Sequence, residues 1–161
     1  MNLMNSFVTK FQKCPYELGA FKILPMSLDH LPQVTALTAQ LGYPGQLKDL
    51  SARFEILRKL PSHALFVFQD KDLVLGWIHL EAVDDLIEER KVEIKAIVVD
   101  ETVRGRGIGH HLIEHAKKWS LENNLKTIYL SCNTKRTQTH QFYLSKGFTQ
   151  TRSSHFFEIQ V

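Results

Sequence analysis

Apolar positions along the chain change their period several times, and each change marks an element. FKILPM (21–26) is a short apolar run broken at Pro25, as at the end of a strand, and Ser27 and Asp29 behind it suit the start of a helix. That helix is expected to reach about Leu41, where Gly42 and Pro44 stop it. Leu47, Leu50, Phe54, Leu57 and Leu60 then recur at three- and four-residue spacing, which predicts one face of a second helix ending before Pro61. ALFVFQ (64–69) and LVLGWIHLEAV (73–83) flank the polar turn Asp70-Lys71-Asp72 and read as an antiparallel hairpin. In its second arm Trp77, His79 and Glu81 point to one side of a sheet and Ile78, Leu80 and Ala82 to the other.

After the charged loop DDLIEERK (84–91) comes VEIKAIVVD (92–100), whose far end is uninterruptedly apolar and so fits a central strand. A glycine-rich turn follows, and Ile108, Leu112, Ala116 and Trp119 form an apolar stripe on a helix ending near Asn123-Asn124, asparagine being tolerated in the left-handed cap. TIYLSC (127–132) is a further strand. A short helix runs from about Lys135 to Lys146 and is capped by Gly147. FTQTRSSHFFEIQV closes the chain as two extended pieces. The pattern holds no repeat or linker. It predicts a single mixed α/β (α+β) domain over residues 20–161, preceded by an extension, 1–19, that lacks the long apolar run of a signal peptide.

Composition changes this picture little: 161 residues, 43% apolar and 23% charged, suit one globular domain. A net charge of +3 is too small to argue for nucleic acid, although it is compatible with a small anionic ligand. No apolar run approaches the roughly 18–20 residues of a membrane span. Cys14 and Cys132 stand far apart in no CxxC pattern, so the expectation is a reducing, cytoplasmic setting with neither a disulfide framework nor a cysteine metal site.

The chemistry concentrates in VRGRGIGHHLIEH (103–115), onto which three signatures can be laid. A dinucleotide fingerprint fails at its last position, where His110 stands in place of glycine, and no GK[ST] follows for a Walker loop. His111 to His115 is a literal HxxEH, a zinc-peptidase pattern, but the helix needs Ile108, Leu112, Ala116 and Trp119 for packing, and His115 borders that stripe. We therefore read His110, His111 and His115 as ordinary helix positions and expect no metal. The third signature uses the whole stretch. A strand ends at Val98-Val99, and Arg104-Gly105-Arg106-Gly107-Ile108-Gly109 opens a helix, so that unpaired N–H groups and the positive helix end converge on one point, as a pyrophosphate requires. Either arginine serves equally well as a phosphate partner or as a solvated surface residue.

Arg104 to Gly109 matches the R/Q-x-x-G-x-G/A motif of the GNAT (GCN5-related N-acetyltransferase) superfamily. Asn133 followed by HQFYLSKGF (140–148) is similar to that family's N…FYxxxGF signature. The resemblance covers roughly residues 21–161 and includes the order of elements. It implies a central, mostly antiparallel sheet of six to seven strands with a splayed parallel pair, flanked by about four helices. It also implies acetyl transfer from acetyl-CoA, as cosubstrate, to an amine, here a small-molecule amine as partner, by direct attack in a ternary complex. Homodimers are common in the family.

Residue by residue, the resemblance places the pyrophosphate on Arg104, Gly105, Arg106, Gly107, Ile108 and Gly109. The pantetheine arm falls along Ile97, Val98 and Val99, with Asn133 helping to hold it or the attacking geometry. Tyr143 takes the place of the general acid and Glu93 that of a general base; His79 on the neighbouring strand is a second candidate base. Each has a plain alternative as packing or half-exposed strand surface, and Cys132 reads as a buried strand thiol. The acceptor site is expected from residues 42–50, the acidic loop 84–89 and the region of His155 and Phe156. An acyl-CoA sensor without turnover, or a peptide N-acetyltransferase, are the alternative functions.

Overall fold

A computed structural model describes residues 19–161. Apart from Gly19, the extension read from the sequence, Cys14 included, lies outside the described residues. Five strands form one sheet: β1 (Phe21–Pro25), β2 (His63–Asp70), β3 (Leu73–Val83), β4 (Lys91–Val99) and β5 (Ile128–Tyr129). They lie side by side in chain order, antiparallel from β1 to β4, with β5 parallel to β4.

The strand alternation on β3 separates two cores. Trp77 joins Val34 and Leu37 of α1 (Leu31–Gln40) and Phe54 of α2 (Leu47–Leu57) on one face. On the other face Ile78, Leu80 and Ala82 meet Ile108, Leu112, Ile113 and Ala116 of α3 (Ile108–Glu122), and Phe142 and Tyr143 of α4 (Thr137–Ser145) pack on the same cluster. α3 ends as expected, with Asn124 in the left-handed region at φ 59°, and α4 ends at Gly147, φ 87°. No helix among the described residues is long and apolar enough to cross a membrane.

Two irregularities decide which side chains share a face. Between Phe68 and Gln69 the β2–β3 register shifts by one. On β4, Ala96 pairs with His79 and Ile94 with Leu80, so Lys95 is an extra, unpaired residue. A bulge of this kind re-aims the strand, and Ile94 and Ile97, three apart, both face α3. Gly76 carries a different constraint. A Cβ there would lie 2.8 Å from the Val98 carbonyl oxygen, 3.2 Å from Ile108 and 3.3 Å from Leu112, so its bare backbone lets α3 sit down on the sheet.

The strand count falls short of the expected six or seven. β5 is only two residues long and residues 149–161 join no strand; Phe156, Phe157, Ile159 and Val161 are exposed. An edge of two residues offers too little backbone to pair a further strand. Replacing Gly76 with alanine is expected to cost about 1–3 kcal/mol in urea unfolding, because the added methyl meets fixed backbone. The matching change at Gly45, where a Cβ meets nothing within 4 Å, should cost much less.

Candidate active site

The parallel pairing of β4 and β5 consists of Val92 with Ile128 and Glu93 with Tyr129, and stops there. From Ile94 onward β4 has no strand neighbour on that side, so the sheet opens toward the C-terminal end of β4. The end of α1 ties down both walls of the opening. Gln40 Oε1 accepts the Glu101 N–H at 2.9 Å beyond β4, and the Leu41 carbonyl accepts from Arg136 at 3.2 Å beyond β5.

At the mouth of the opening the three glycines of the motif answer to different needs. Gly105 (φ 79°) and Gly107 (φ 84°) adopt a backbone that side chains resist, and a Cβ on either would meet nothing within 4 Å, leaving open space over the loop. Gly107 caps α3, whose first intrahelical bond, His111 N–H to the Gly107 carbonyl, leaves the preceding N–H groups of the first turn without helix partners. A bare, positively polarised concavity beside exposed Arg104 fits a pyrophosphate. Gly109 is instead a packing glycine: a Cβ there would lie 2.9 Å from the Phe142 ring. Arg104 folds back, its Nε donating to the Val99 carbonyl at 3.1 Å. Ile97 and Val99 turn toward α3, and Val98 toward α1 and α2.

On the α1–α2 face a continuous polar belt crosses four strands. His63 Nδ1 on β2 lies 2.9 Å from His79 Nε2 on β3, and His63 Nε2 lies 3.8 Å from Glu81. Lys95, the bulge residue, reaches Glu81 at 3.3 Å and Glu93 at 3.0 Å, and the Tyr129 hydroxyl donates to Glu93 at 3.2 Å. Burial opposes the charge on Lys95, yet its bonds to Glu93 and Glu81 hold its pKa above the usual value. Burial, and then the Glu93 charge, push the Tyr129 phenol up. Burial first, and then the neighbouring His63 ring, depress His79 to about 4, which keeps it neutral at physiological pH.

On the α3 face Tyr143 is half-buried between Phe142 and Phe148, with ring centroids 5.3 and 5.6 Å away. Burial and nearby Cys132 push its phenol up to about 12, so it holds its proton. Cys132 is itself partly buried, and burial raises its thiol. Asn133 is exposed; its Oδ1 accepts the Lys135 N–H at 2.9 Å, and its backbone carbonyl accepts from Arg136 N–H at 3.0 Å and lies 2.9 Å from His140 Nε2. The HxxEH histidines face the other way: His111 packs on Phe21 with ring centroids 4.5 Å apart, and His115 meets Phe66 edge-on at 4.4 Å. Among the described residues no three His, Cys, Asp or Glu side chains gather to hold a metal.

The structure thus brings Glu93 and His79 into one belt on the α1–α2 face, sets the glycine loop after the end of β4, and packs Tyr143 on the α3 face near Cys132. His63, Glu81, Lys95 and Tyr129 were not found from the sequence as members of that belt. For His63 the reason is the β2–β3 irregularity. Counting back from Asp70, which faces Leu73, a regular hairpin sets His63 against Leu80 and on the α3 face; the one-residue shift sets it against Glu81 instead. The depressed His79 pKa has a stability consequence. The unfolded imidazole takes up a proton below about 6.5 and the folded one only near 4, so stability present above 6.5 is lost as pH falls through that window. The loss is up to about 3 kcal/mol. Urea unfolding from pH 7 to 4 should show a shallower decline for His79→Gln than for the parent protein.

Known proteins share stretches of this sequence, and solved structures share its fold. The streptothricin acetyltransferase of Escherichia coli is 41% identical over 83 residues, 51% of this chain and 44% of that protein. The aminoalkylphosphonate N-acetyltransferase of Salmonella typhimurium is 38% identical over 64 residues, 40% of each. The chain therefore spans less than half the length of these two relatives. Among solved structures, the aminoglycoside N-acetyltransferase AAC(6')-Iy in complex with CoA superposes with a TM-score of 0.80 at 20% identity, over 91% of this chain and 99% of that one, a likeness of fold. The family profile described as Acetyltransferase (GNAT) family matches residues 32–148, from the first residues of α1 through the glycine loop to Phe148 behind α4, and the chain belongs to that family.

Proposed function

We propose that the protein is an acetyl-CoA-dependent N-acetyltransferase that acetylates a primary amine of a small molecule while both substrates are bound. The observation that carries this reading is the gap between β4 and β5, which opens beyond the Glu93–Tyr129 pair, with an open glycine loop after the end of β4. We assign residues 20–161 to the transferase domain and 1–19 to an extension outside it. Acetyl-CoA supplies an activated acetyl thioester. Arg104, Gly105, Arg106, Gly107, Ile108 and Gly109 hold its pyrophosphate through backbone amides and local positive charge. Ile97, Val98 and Val99 present the unpaired strand edge to its pantetheine arm, with the carboxamide N–H groups of Asn133 as further donors.

Tyr143 keeps its proton at every physiological pH and donates a hydrogen bond to negative charge developing on a leaving sulfur. Glu93, oriented by Tyr129 and Lys95, accepts the proton that a cationic amine must lose before it attacks. Neutral His79 supplies a second acceptor nearby. The exposed acids of the 84–90 loop are largely engaged, Asp84 with Arg90 and Glu88 with Lys91 and Arg152, which leaves the loop a weak attractor for a cationic acceptor. The names of the relatives, which acetylate a streptothricin, an aminoalkylphosphonate or an aminoglycoside, support an amine-bearing small molecule as the acceptor class.

A thiol-release screen with acetyl-CoA against streptothricin, aminoalkylphosphonates, aminoglycosides, polyamines and short peptides tests the reading. Turnover on one small amine class is expected, whereas binding of acetyl-CoA without release on any amine favours a sensor. Gly107→Val should abolish CoA binding in calorimetry while leaving the circular dichroism spectrum folded, because a branched residue resists φ 84° and fills the loop. Tyr143→Phe should lower kcat by about 10²-fold with little change in the KM for acetyl-CoA, read by steady-state kinetics.

A further inference from the structure

His63 and His79 come from different strands, and their ring nitrogens lie 2.9 Å apart. At that distance a single proton stands between them, carried either on His63 Nδ1 or on His79 Nε2. The other nitrogen of His63 decides which. Its Nε2 lies 3.8 Å from a Glu81 oxygen, too far for a hydrogen bond but close enough for the carboxylate to favour an N–H over a lone pair. A neutral His63 protonated on Nε2 has a bare Nδ1, and a bare Nδ1 must accept from His79 Nε2–H. The proton on His79 is then spoken for, and its Nδ1 is left with a free lone pair.

From this geometry we infer that Glu81 and His63 are positioning residues that hold His79 in the Nε2–H tautomer, so that His79 Nδ1 accepts an N–H of the acceptor amine. The part concerning the amine rests on the transferase reading; the tautomer does not. The arrangement is a carboxylate acting on one imidazole through a second, with three side chains from two neighbouring strands joined only because the β2–β3 register shifts. Several other charged or titratable groups face the pair. Lys95 and Glu93 approach from β4, Tyr129 stands behind Glu93 from β5, and Arg58 and Lys59 of the α2 end line the cavity of about 610 Å³ into which His63 opens. The buried, neutral state of His79 agrees with a ring that works through its lone pair instead of a charge.

The test is long-range ¹H–¹⁵N spectroscopy of the histidine rings in the full chain labelled with ¹⁵N-histidine, at pH 8, where an imidazole near its ordinary pKa of about 6.5 is neutral. His79→Gln identifies the resonances. The expected result is His79 with Nε2 protonated and Nδ1 bare, kept in His63→Asn, whose Oδ1 replaces the accepting nitrogen. A mixture of tautomers is expected in His63→Phe and in Glu81→Leu. His79 protonated on Nδ1 in the parent protein, or an unchanged tautomer in both His63→Phe and Glu81→Leu, overturns the inference. With an amine that turns over in the screen, His63→Phe should lower kcat at least tenfold, leave the KM for acetyl-CoA unchanged, and be rescued by His63→Asn. A shifted tautomer with unchanged kcat rejects the role toward the amine. If no amine turns over, the transferase reading fails while the spectra still decide the positioning.

Discussion

Two backbone pairs, Val92 with Ile128 and Glu93 with Tyr129, are all that joins the last strand to the sheet, and the rest of the molecule is arranged around their brevity. A parallel strand needs a long crossover, here supplied by the glycine loop and α3, and the crossover delivers β5 beside the start of β4 but not along its length. Beyond Glu93 the edge of β4, an inner strand of the sheet, has no strand partner among the described residues. Unpaired main-chain groups in a sheet interior are costly unless something extended meets them. An extended ligand with an amide-bearing arm has the groups to meet that need, which is why the proposed function sets the cosubstrate in this slot.

Around the slot, packing and chemistry are assigned to separate residues. Gly76 and Gly109 are small because other atoms need their space: Gly76 seats α3 on the sheet and Gly109 seats α4 on α3 through Phe142. Gly105 and Gly107 are glycines for conformation, with open space before them. Tyr143 takes its place because its neighbour Phe142 anchors α4 to Gly109. On the opposite face the bulge at Lys95 adds a cation between two carboxylates and offsets the alternation of β4 by one residue, so that Ile94 and Ile97 share the α3 face.

Local patterns were legible in the sequence wherever one residue's neighbours along the chain decided its state. The stripe of α3, its asparagine cap, the two faces of β3 and the glycine loop all follow from spacing of two to four residues, and the structure has them. What was not legible depended on register between strands. The hairpin pattern around Lys71 and Asp72 carries no sign of the shift at Phe68, so His63 could not be set on the face of His79 and Glu81, and Tyr129 is opposite Glu93 only through a pairing two residues long. Extended pieces at the chain end had strand-like composition but no sufficient edge, which is why the expected sixth and seventh strands are absent from the sheet. The HxxEH pattern reads, from the helix stripe, as ordinary helix positions; what that stripe could not supply is their partners, the aromatic rings of β1 and β2 that pack on His111 and His115.

The grip of α1 on both walls of the slot has a mechanical side. Gln40 fastens the turn after β4, and Leu41 fastens the turn before α4, so one helix end acts as a crossbar between two jambs that otherwise touch only at their base. The gap's width is therefore governed by a segment belonging to neither wall. The loop that continues from that crossbar, residues 42–46, borders a hollow of its own beside Thr38, Asp49 and Arg53. The hollow thus begins one residue beyond the crossbar, on the same stretch of chain that spaces the strands.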